Sequence, residues 1–283
     1  MDAVVAGIIQ GGIYAAFTLS LAIIFSVMGV VNFAHGDFLT VAFYATALLL
    51  SSGVALGLAL FAVIVLMTIL GVLLYLTIFR ATQRAKDPAL AQVFATVGLS
   101  MVIQNVILLI YGGDTRRVTS IVSGSVDILG VPVTWSRLLP TFAVSIMSFC
   151  LLLLFKRTVL GTRIRAVAAD RESAAISGIH VQRTFVMASA ISFGILAVAA
   201  FSIAPNVSVF PLAGFNLLLV GFLAAVIGGL GSVFAAVGGA FALGVIESVT
   251  STYAAPIYAP IGMYSAFLLI LLIRPHGIAG VAR

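Results

Sequence analysis

Polar residues interrupt this chain at only a few places. Residues 3–34 carry no charge, and neither do residues 184–246. A membrane-spanning helix needs about 20 apolar residues, so the second tract alone is long enough for about three. Charges, Gly and Pro divide the chain into nine apolar segments: about 4–29, 38–51, 57–79, 89–111, 137–155, 184–204, 212–228, 233–252 and 260–273. The segments lack the two-residue alternation of a transmembrane barrel. Helices satisfy every backbone group internally, which a bilayer demands. The pattern predicts an all-α integral membrane protein. It is a polytopic helical bundle of about eight to ten spans, with broken or re-entrant segments. The second and ninth segments are short, and either can be re-entrant or half-buried.

Composition agrees. Of the residues, 63% are hydrophobic and 8% charged, against about 25% charged in soluble domains. The longest polar stretches, 112–136 and 156–183, leave no room for a soluble domain, so residues 1–283 form one membrane domain. The net charge of +6 reflects topology rather than nucleic-acid binding. Arg80, Arg84, Lys86, Lys156, Arg157, Arg163, Arg165, Arg171, Arg183, Arg274 and Arg283 fall on one side of the nine-segment layout, and only Arg116, Arg117 and Arg137 fall on the other. The larger set belongs in the cytoplasm. The C-terminus is then cytoplasmic and the N-terminus outside. Cys150 is the only cysteine, which excludes an intrachain disulfide and a multi-cysteine metal site. The first apolar stretch is too long, and lacks the basic start, of a cleavable signal peptide. No internal repeat is evident, although an inverted one can lie below what such reading detects.

Four segments carry more information. Asn32-Phe33-Ala34-His35-Gly36-Asp37 joins the first two apolar segments. Its Asn, Gly and Asp break one helix and start another, and Asp37 would face the positive end of the second. Physics alone favours a capped cytoplasmic turn. The other reading is a broken helix lining a pathway, where open backbone meets water or solute instead of lipid. Asn32, His35 and Gly36 are the candidates there. His35 has no second His nearby with which to hold a metal. In the basic loop, Ile164, Val167, Ala168 and Ala175 recur at helical spacing, and Gly178 is placed to end the helix. Such a helix can lie on lipid, set topology by charge, or dock into a partner's groove. Charge of both signs and a smooth Ala-rich face favour docking.

Gly228-Gly229-Leu230-Gly231-Ser232 separates two segments without any charge, as a tight turn or as a break within the membrane. Gly7 and Gly11 have the spacing of closely packed helices. Glu247 is the one acidic residue well inside a segment. At mid-bilayer it costs about 2.5–3.5 kcal/mol. It faces the bundle interior, or lies near the outer interface against Ser248 or Thr250; both readings stand.

The chain has no G-x-x-x-x-G-K-[ST], since neither Lys86 nor Lys156 follows a glycine, so any ATP-driven step needs another chain. His35, His180 and His276 fall in loops or at segment ends, and none is obviously placed beside a membrane serine, which argues against a hydrolase. Glu247 keeps an ion-coupled secondary carrier open as an alternative.

Four motifs in order extend along nearly the whole chain: Asn32-Phe33-Ala34-His35-Gly36; Leu160 through Glu172 with Gly178-Ile179; Gly228 through Ser232; and Arg274-Pro275-His276-Gly277-Ile278-Ala279-Gly280. Together they make the chain resemble the LivH-type permeases of bacterial branched-chain amino-acid ABC importers. The resemblance implies a multi-pass protein of the bacterial inner membrane that pairs with a second homologous permease. Two cytoplasmic ATP-binding subunits would hold ATP and Mg, with no cofactor in this chain. A soluble extracytoplasmic binding protein would deliver solute against the outer loop 112–136. Loop 156–183 would couple to the ATPases through Arg163, Arg165, Asp170, Arg171, Glu172 and Gly178. The pathway candidates are Asn32, His35, Gly36, Gly228, Gly229, Gly231, Ser232 and Glu247. Branched-chain amino acids are the expected solute, with urea, amides and other amino acids as alternatives in the same class.

Overall fold

A computed structural model of the chain describes residues 2–29, 31–118, 122, 124–128, 131–229, 232–274 and 277–278. Each of the nine apolar segments is a helix: α1 (Asp2–Met28), α2 (His35–Ser51), α3 (Leu56–Leu74), α5 (Pro88–Tyr111), α6 (Trp135–Arg157), α9 (Val181–Ile203), α10 (Ala213–Gly228), α11 (Val233–Tyr253) and α12 (Ala259–Ile273). A π-helical turn, Tyr75–Phe79, carries α3 into a last turn, α4 (Arg80–Thr82). Among the described residues seven helices are long and apolar enough to cross a membrane, and the protein is a multi-pass membrane protein. The short pair is the second and the seventh. The ninth, expected to be short, reaches spanning length through the turn at Pro256–Tyr258.

Two local expectations are corrected. The single amphipathic helix of the basic loop is two helices, α7 (Val159–Ala169) and α8 (Arg171–Ile176). Asp170 lies between them in extended conformation, and its carboxylate accepts from Glu172 N–H (2.9 Å) and Ser173 Oγ–H (2.6 Å). A side chain that competes for the backbone in this way starts a new helix. The Ser173 hydrogen bond, then the backbone ones, hold the Asp170 carboxyl below the usual carboxylate range. The loop 112–136, to which the apolar pattern assigned no element, contains an antiparallel hairpin of β1 (Ser125–Ile128) and β2 (Val131–Thr134).

The bundle has two distinguishable ends. One, the basic end, carries α4, α7, α8 and the turn after α10. The other, the hairpin end, carries the α2–α3 connection, the hairpin and the segment 204–212. The segment 204–212 meets the chain on both sides of the hairpin, since Arg116 bridges Val209 and Asn206 Nδ2 donates to Ser136 O at the start of α6 (2.7 Å). α1 is the central helix, 83% buried over its most apolar stretch, whereas α12 is 11% buried and α5 17%. Small residues bring α11 onto α1. A Cβ on Gly7 or Gly11 would stand 2.6 or 2.7 Å from the Cα of Val245 or Phe241. Without a hydrophobic force between helices in lipid, such close backbone approach supplies the dispersion contacts that hold the pair.

α2 and α10 do not start at the bundle's ends. His35 hydrogen-bonds Ser20, eight residues before α1 stops, so α2 begins about 12 Å inside that end. α10 begins beside α2, with Gly214 N–H donating to Thr40 Oγ1 (2.9 Å). Gly36 and Gly214 face each other, and a Cβ on either would strike the other's carbonyl.

This mutual contact marks an inverted repeat. α1 packs on α11 as α9 packs on α3. α1 meets α10 as α9 meets α2, and α2–α3 corresponds to α10–α11. Gly36 and Gly214 are 178 positions apart, and the first residues of α3 and α11, Leu56 and Val233, are 177 apart. Corresponding helices run in opposite directions, so the relating axis lies in the membrane plane. In the aligned stretches Ala34–Leu39 and Leu212–Leu217 only the glycine and the last leucine coincide, which is why the sequence concealed the repeat.

Candidate functional site

The turn before α2 is built from its own polar groups. Asn32 Oδ1 accepts from Ala34 N–H (3.1 Å), and Asn32 O accepts from His35 N–H (3.1 Å). Phe33 N–H reaches across to Thr96 Oγ1 on α5 (3.3 Å). Buried backbone at membrane depth needs such partners, and here α5 supplies one.

His35 is fully buried, with its ring 5.6 Å from Phe17 and 5.3 Å from Phe193. Its Nε2 lies 3.0 Å from Ser20 Oγ, so a membrane serine does stand beside a histidine, against the expectation. The pair is not arranged for hydrolysis. Ser20 Oγ–H donates to Phe17 O (2.7 Å), which leaves the hydroxyl oxygen to accept from His35 when the Nε2–H tautomer is present. His35 Nδ1 has no orienting partner. Ser192 Oγ–H closes the cluster on Ser20 O (2.7 Å) and ties α9 to α1.

The feature that sequence reading missed is a polar stripe on α5. Gln92, Thr96, Ser100 and Gln104 recur every fourth residue and so share one face. Gln92, Thr96 and Ser100 are buried, while Phe94, Met101 and Leu109 on the other faces are exposed. The stripe faces α2. Gln104 Nε2 donates to Asp37 Oδ1 (2.9 Å) and to Ser100 Oγ (3.1 Å). Four-residue spacing of polar groups inside an apolar segment was the available signal.

Among the described residues, four of the nine buried side-chain polar atoms without partners lie along this α2–α5 seam. They are Tyr44 Oη, Asp37 Oδ2, Asn32 Nδ2 and Gln92 Nε2, in order from the hairpin end to the basic end. At the hairpin end Tyr44 stacks on Tyr111 (4.4 Å between centroids), and the Arg116 guanidinium lies 5.1 Å over Tyr111. A pocket of about 300 Å³ opens there between Tyr44, Ser51, Tyr111, Arg116 and Arg117. A second pocket, of about 350 Å³, lies deeper between Gln104, Asn105, Leu108 and Gly113 of one strand of chain and Phe210–Leu212 of the other. Unsatisfied polar groups are rare in buried protein. A row of them leading inward from two pockets has the chemistry of a solute path.

The remaining candidates sit elsewhere. Glu247 turns into the bundle and accepts from Tyr14 Oη–H (2.6 Å); Gln10 Nε2 in turn donates to Tyr14 (2.9 Å). Thr250 is bonded to Ile246 O instead. Glu247→Gln keeps an acceptor for Tyr14, so we expect normal yield and transport from that variant. A transport loss at unchanged membrane yield would show that the charge itself is used. Gly228 packs on the Ala235 backbone, Gly229 adopts φ +118°, and Ser232 Oγ accepts from Ala235 N–H (3.4 Å), so this segment is a tight turn between α10 and α11. Ile278 N–H pins it through Ile227 O (2.9 Å). Gly231 lies outside the described residues.

At the basic end Arg163, Arg165 and Glu172 are exposed, and Gly178 (φ +81°) ends α8. Arg171 behaves differently. Its guanidinium donates to Met28 O at the end of α1 and lies 5.2 Å over the Phe185 ring of α9. Among the described residues no three or more His, Cys, Asp or Glu gather as a metal site.

Residues 3–274 match the family described as branched-chain amino acid transport system / permease component. Among curated relatives, the high-affinity branched-chain amino acid transport system permease protein LivH of Escherichia coli (strain K12) is 27% identical over 97% of this chain and 93% of its own length. LivH of Salmonella typhimurium is 25% identical over the same shares. BraD of Pseudomonas aeruginosa, of the same description, is 26% identical over 99% and 95%. One chain of PsaBC from Streptococcus pneumoniae, solved in complex with Fab, shares the fold, with a TM-score of 0.52, 12% identity, and 97% of this chain and 91% of that one covered. The chain therefore belongs to the family of branched-chain amino acid transport system permease components.

Proposed function

We propose that this chain is the transmembrane permease subunit of an ATP-driven importer of branched-chain amino acids in the bacterial cytoplasmic membrane. The observation that carries this reading is the family match along residues 3–274, with relatives named as branched-chain amino acid permeases over nearly their full length. The sequence has no P-loop, and in this reading ATP and Mg are held by partner subunits. The helix pair α7–α8 is the surface offered to them, with Arg163 and Arg165 exposed. In this arrangement the basic end is cytoplasmic, and the hairpin end receives solute from a soluble binding protein. A second homologous permease completes the membrane unit. ATP binding closes the ATPases, and the two permeases alternate the access of the path. No covalent chemistry takes place in this chain.

A tag on this chain, purification from native membranes and mass spectrometry test the reading. We expect a second permease and P-loop ATPases to follow, and leucine uptake to fall in cells lacking the gene. A chain that purifies alone and still transports in liposomes would instead be a secondary carrier. Unchanged high-affinity leucine uptake with an intact complex would redirect the assignment to urea or amides. Reversal of both arginines, Arg163→Glu with Arg165→Glu, should abolish ATPase association and transport while insertion persists. Association at the wild-type level would count against the docking role.

A further inference from the structure

The outer pocket of about 300 Å³ gathers positive charge that the fold does not neutralise. Basic residues concentrate in cytoplasmic loops, so those on the opposite side call for a reason of their own. Only three of the fourteen basic residues belong to the hairpin end. Two of the three, Arg116 and Arg117, line this one cavity. Among the described residues neither guanidinium has an ion-pair or hydrogen-bond partner, and Asp114, three positions before Arg117, pairs with neither.

Arg116 is also held in place. Its backbone N–H donates to Val209 O and its carbonyl accepts from Val209 N–H (2.8 Å each). Its guanidinium lies over Tyr111, which in turn stacks on Tyr44. A cation positioned in advance loses little freedom when it binds an anion. The inner wall of the cavity is Tyr44, which is 3% exposed and whose Oη is buried without a partner. Ser51 Oγ–H donates to Leu48 O (3.0 Å), so the Ser51 oxygen can only accept from a ligand. Ala47 and Leu48 complete the lining with apolar surface. The volume is at the small end of ligand sites.

We infer that this pocket is an entry site for the carboxylate group of the solute, which Arg116 and Arg117 take between them in front of the Tyr44 wall. This rests on the amino-acid reading above. Two guanidiniums in one cavity repel each other, and a carboxylate both relieves that repulsion and forms charge-assisted hydrogen bonds with them. A neutral solute such as urea leaves both cations as they were. The acceptor at Ser51 suits the ammonium of a zwitterion and not a second negative group. A carboxylate side chain of the binding protein has the same chemistry as the solute's. The solute is favoured because the cavity is small and because its inner wall, Tyr44, also carries the first unpartnered atom of the α2–α5 seam.

The test uses the complete complex in proteoliposomes with its binding protein loaded with labelled leucine. It reads solute import and the affinity of the binding protein for the complex separately. Arg116→Gln with Arg117→Gln removes both charges. At saturating binding protein it should lower leucine import about tenfold or more, the scale of lost charge-assisted hydrogen bonds. The dissociation constant of the binding protein should stay within about twofold. Arg116→Lys with Arg117→Lys keeps the charges without the planar forks and should recover part of the import. Wild-type import by the double Gln variant overturns the site and leaves the importer reading intact. So does import that returns to the wild-type rate when more binding protein is supplied, because the carboxylate then belongs to that protein. If the double variant does not assemble, Arg117→Gln alone decides, since the Arg117 side chain bonds no described residue. Import lowered about threefold or more at unchanged affinity supports the site, and wild-type import overturns it. A wild-type complex that moves a neutral amide but neither leucine nor valine overturns the amino-acid reading on which the site rests.

Discussion

Gly214→Val is expected to prevent assembly of the bundle. A Cβ at Gly214 would clash with the Gly36 carbonyl oxygen and stand 2.6 Å from both the Gly36 carbonyl carbon and Thr40 Oγ1. Thr40 Oγ1 also accepts from Gly214 N–H, so any shift that relieved the clash would break that bond. The same holds in reverse at Gly36, where a Cβ would lie 2.8 Å from the Gly214 carbonyl carbon and 2.9 Å from Leu218 Cβ. Overpacking of a rigid site costs about 1–3 kcal/mol. Here backbone meets backbone on both sides, so the upper end or beyond is expected. Gly57→Ala is the control, since nothing lies within 4 Å of its Cβ position. Thermal unfolding and size-exclusion profiles of the detergent-solubilised protein would distinguish the two. A Gly214→Val protein as stable as Gly57→Ala would mean that α2 and α10 do not cross here.

Arg171→Ala is expected to uncouple ATP hydrolysis from transport without preventing ATPase association. The guanidinium joins three elements: α8, on which it sits, the last carbonyls of α1 through Met28 O, and α9 through the Phe185 ring. A cation at a helix C-terminus stabilises the unpaired carbonyls there. The joint beyond Met28 leads into the turn that starts α2, the helix carrying His35 and Asp37. A displacement of α7–α8 by a partner subunit therefore has a direct line to the seam. Removal of the side chain leaves Arg163 and Arg165 exposed for docking, as in the parent. Arg171→Lys keeps the charge but loses the planar fork that bonds and stacks together, so it should rescue only partly. The measurement is solute imported per ATP hydrolysed in the reconstituted complex, together with co-purification of the ATPase. An unaltered ratio in Arg171→Ala would assign the clamp to stability alone.

The two variants probe opposite ends of one device. The inverted repeat places the two short helices α2 and α10 against each other, with their starts pinned by Gly36, Gly214 and Thr40. Broken helices are tolerated at that depth only where they are buried in protein or line a path. α2 does both. Its His35 side packs on α1 and α9 as core, and its Asp37 side meets the polar stripe of α5. α5 itself is held mainly along that stripe and presents Phe94, Met101, Leu109 and Ile110 outward.

Much of this was determined by the sequence alone. Nine helices follow from nine apolar segments, because a bilayer admits only internally bonded spans. Basic residues at one end and the missing P-loop follow from composition and motif. Residue spacing failed where one pattern could serve two structures. Ile164, Val167, Ala168 and Ala175 keep helical spacing through a break, because Asp170 caps α8 without disturbing the apolar period. Val126 and Val133 gave too short an alternation to announce a hairpin.

Only the tertiary structure decided what faces what. Tyr14 and Glu247 are 233 positions apart, and Asp37 and Gln104 are 67 apart. In a soluble protein, hydrophobicity tells the inner face of a helix from the outer one. In lipid both faces are apolar, so an apolar segment does not encode its neighbour. The choice passes to glycines that permit contact and to sparse polar groups that must find one another. Gly36 against Gly214, and the α5 stripe against Asp37, are those choices, and they set α2 against α10 on one side and α5 on the other.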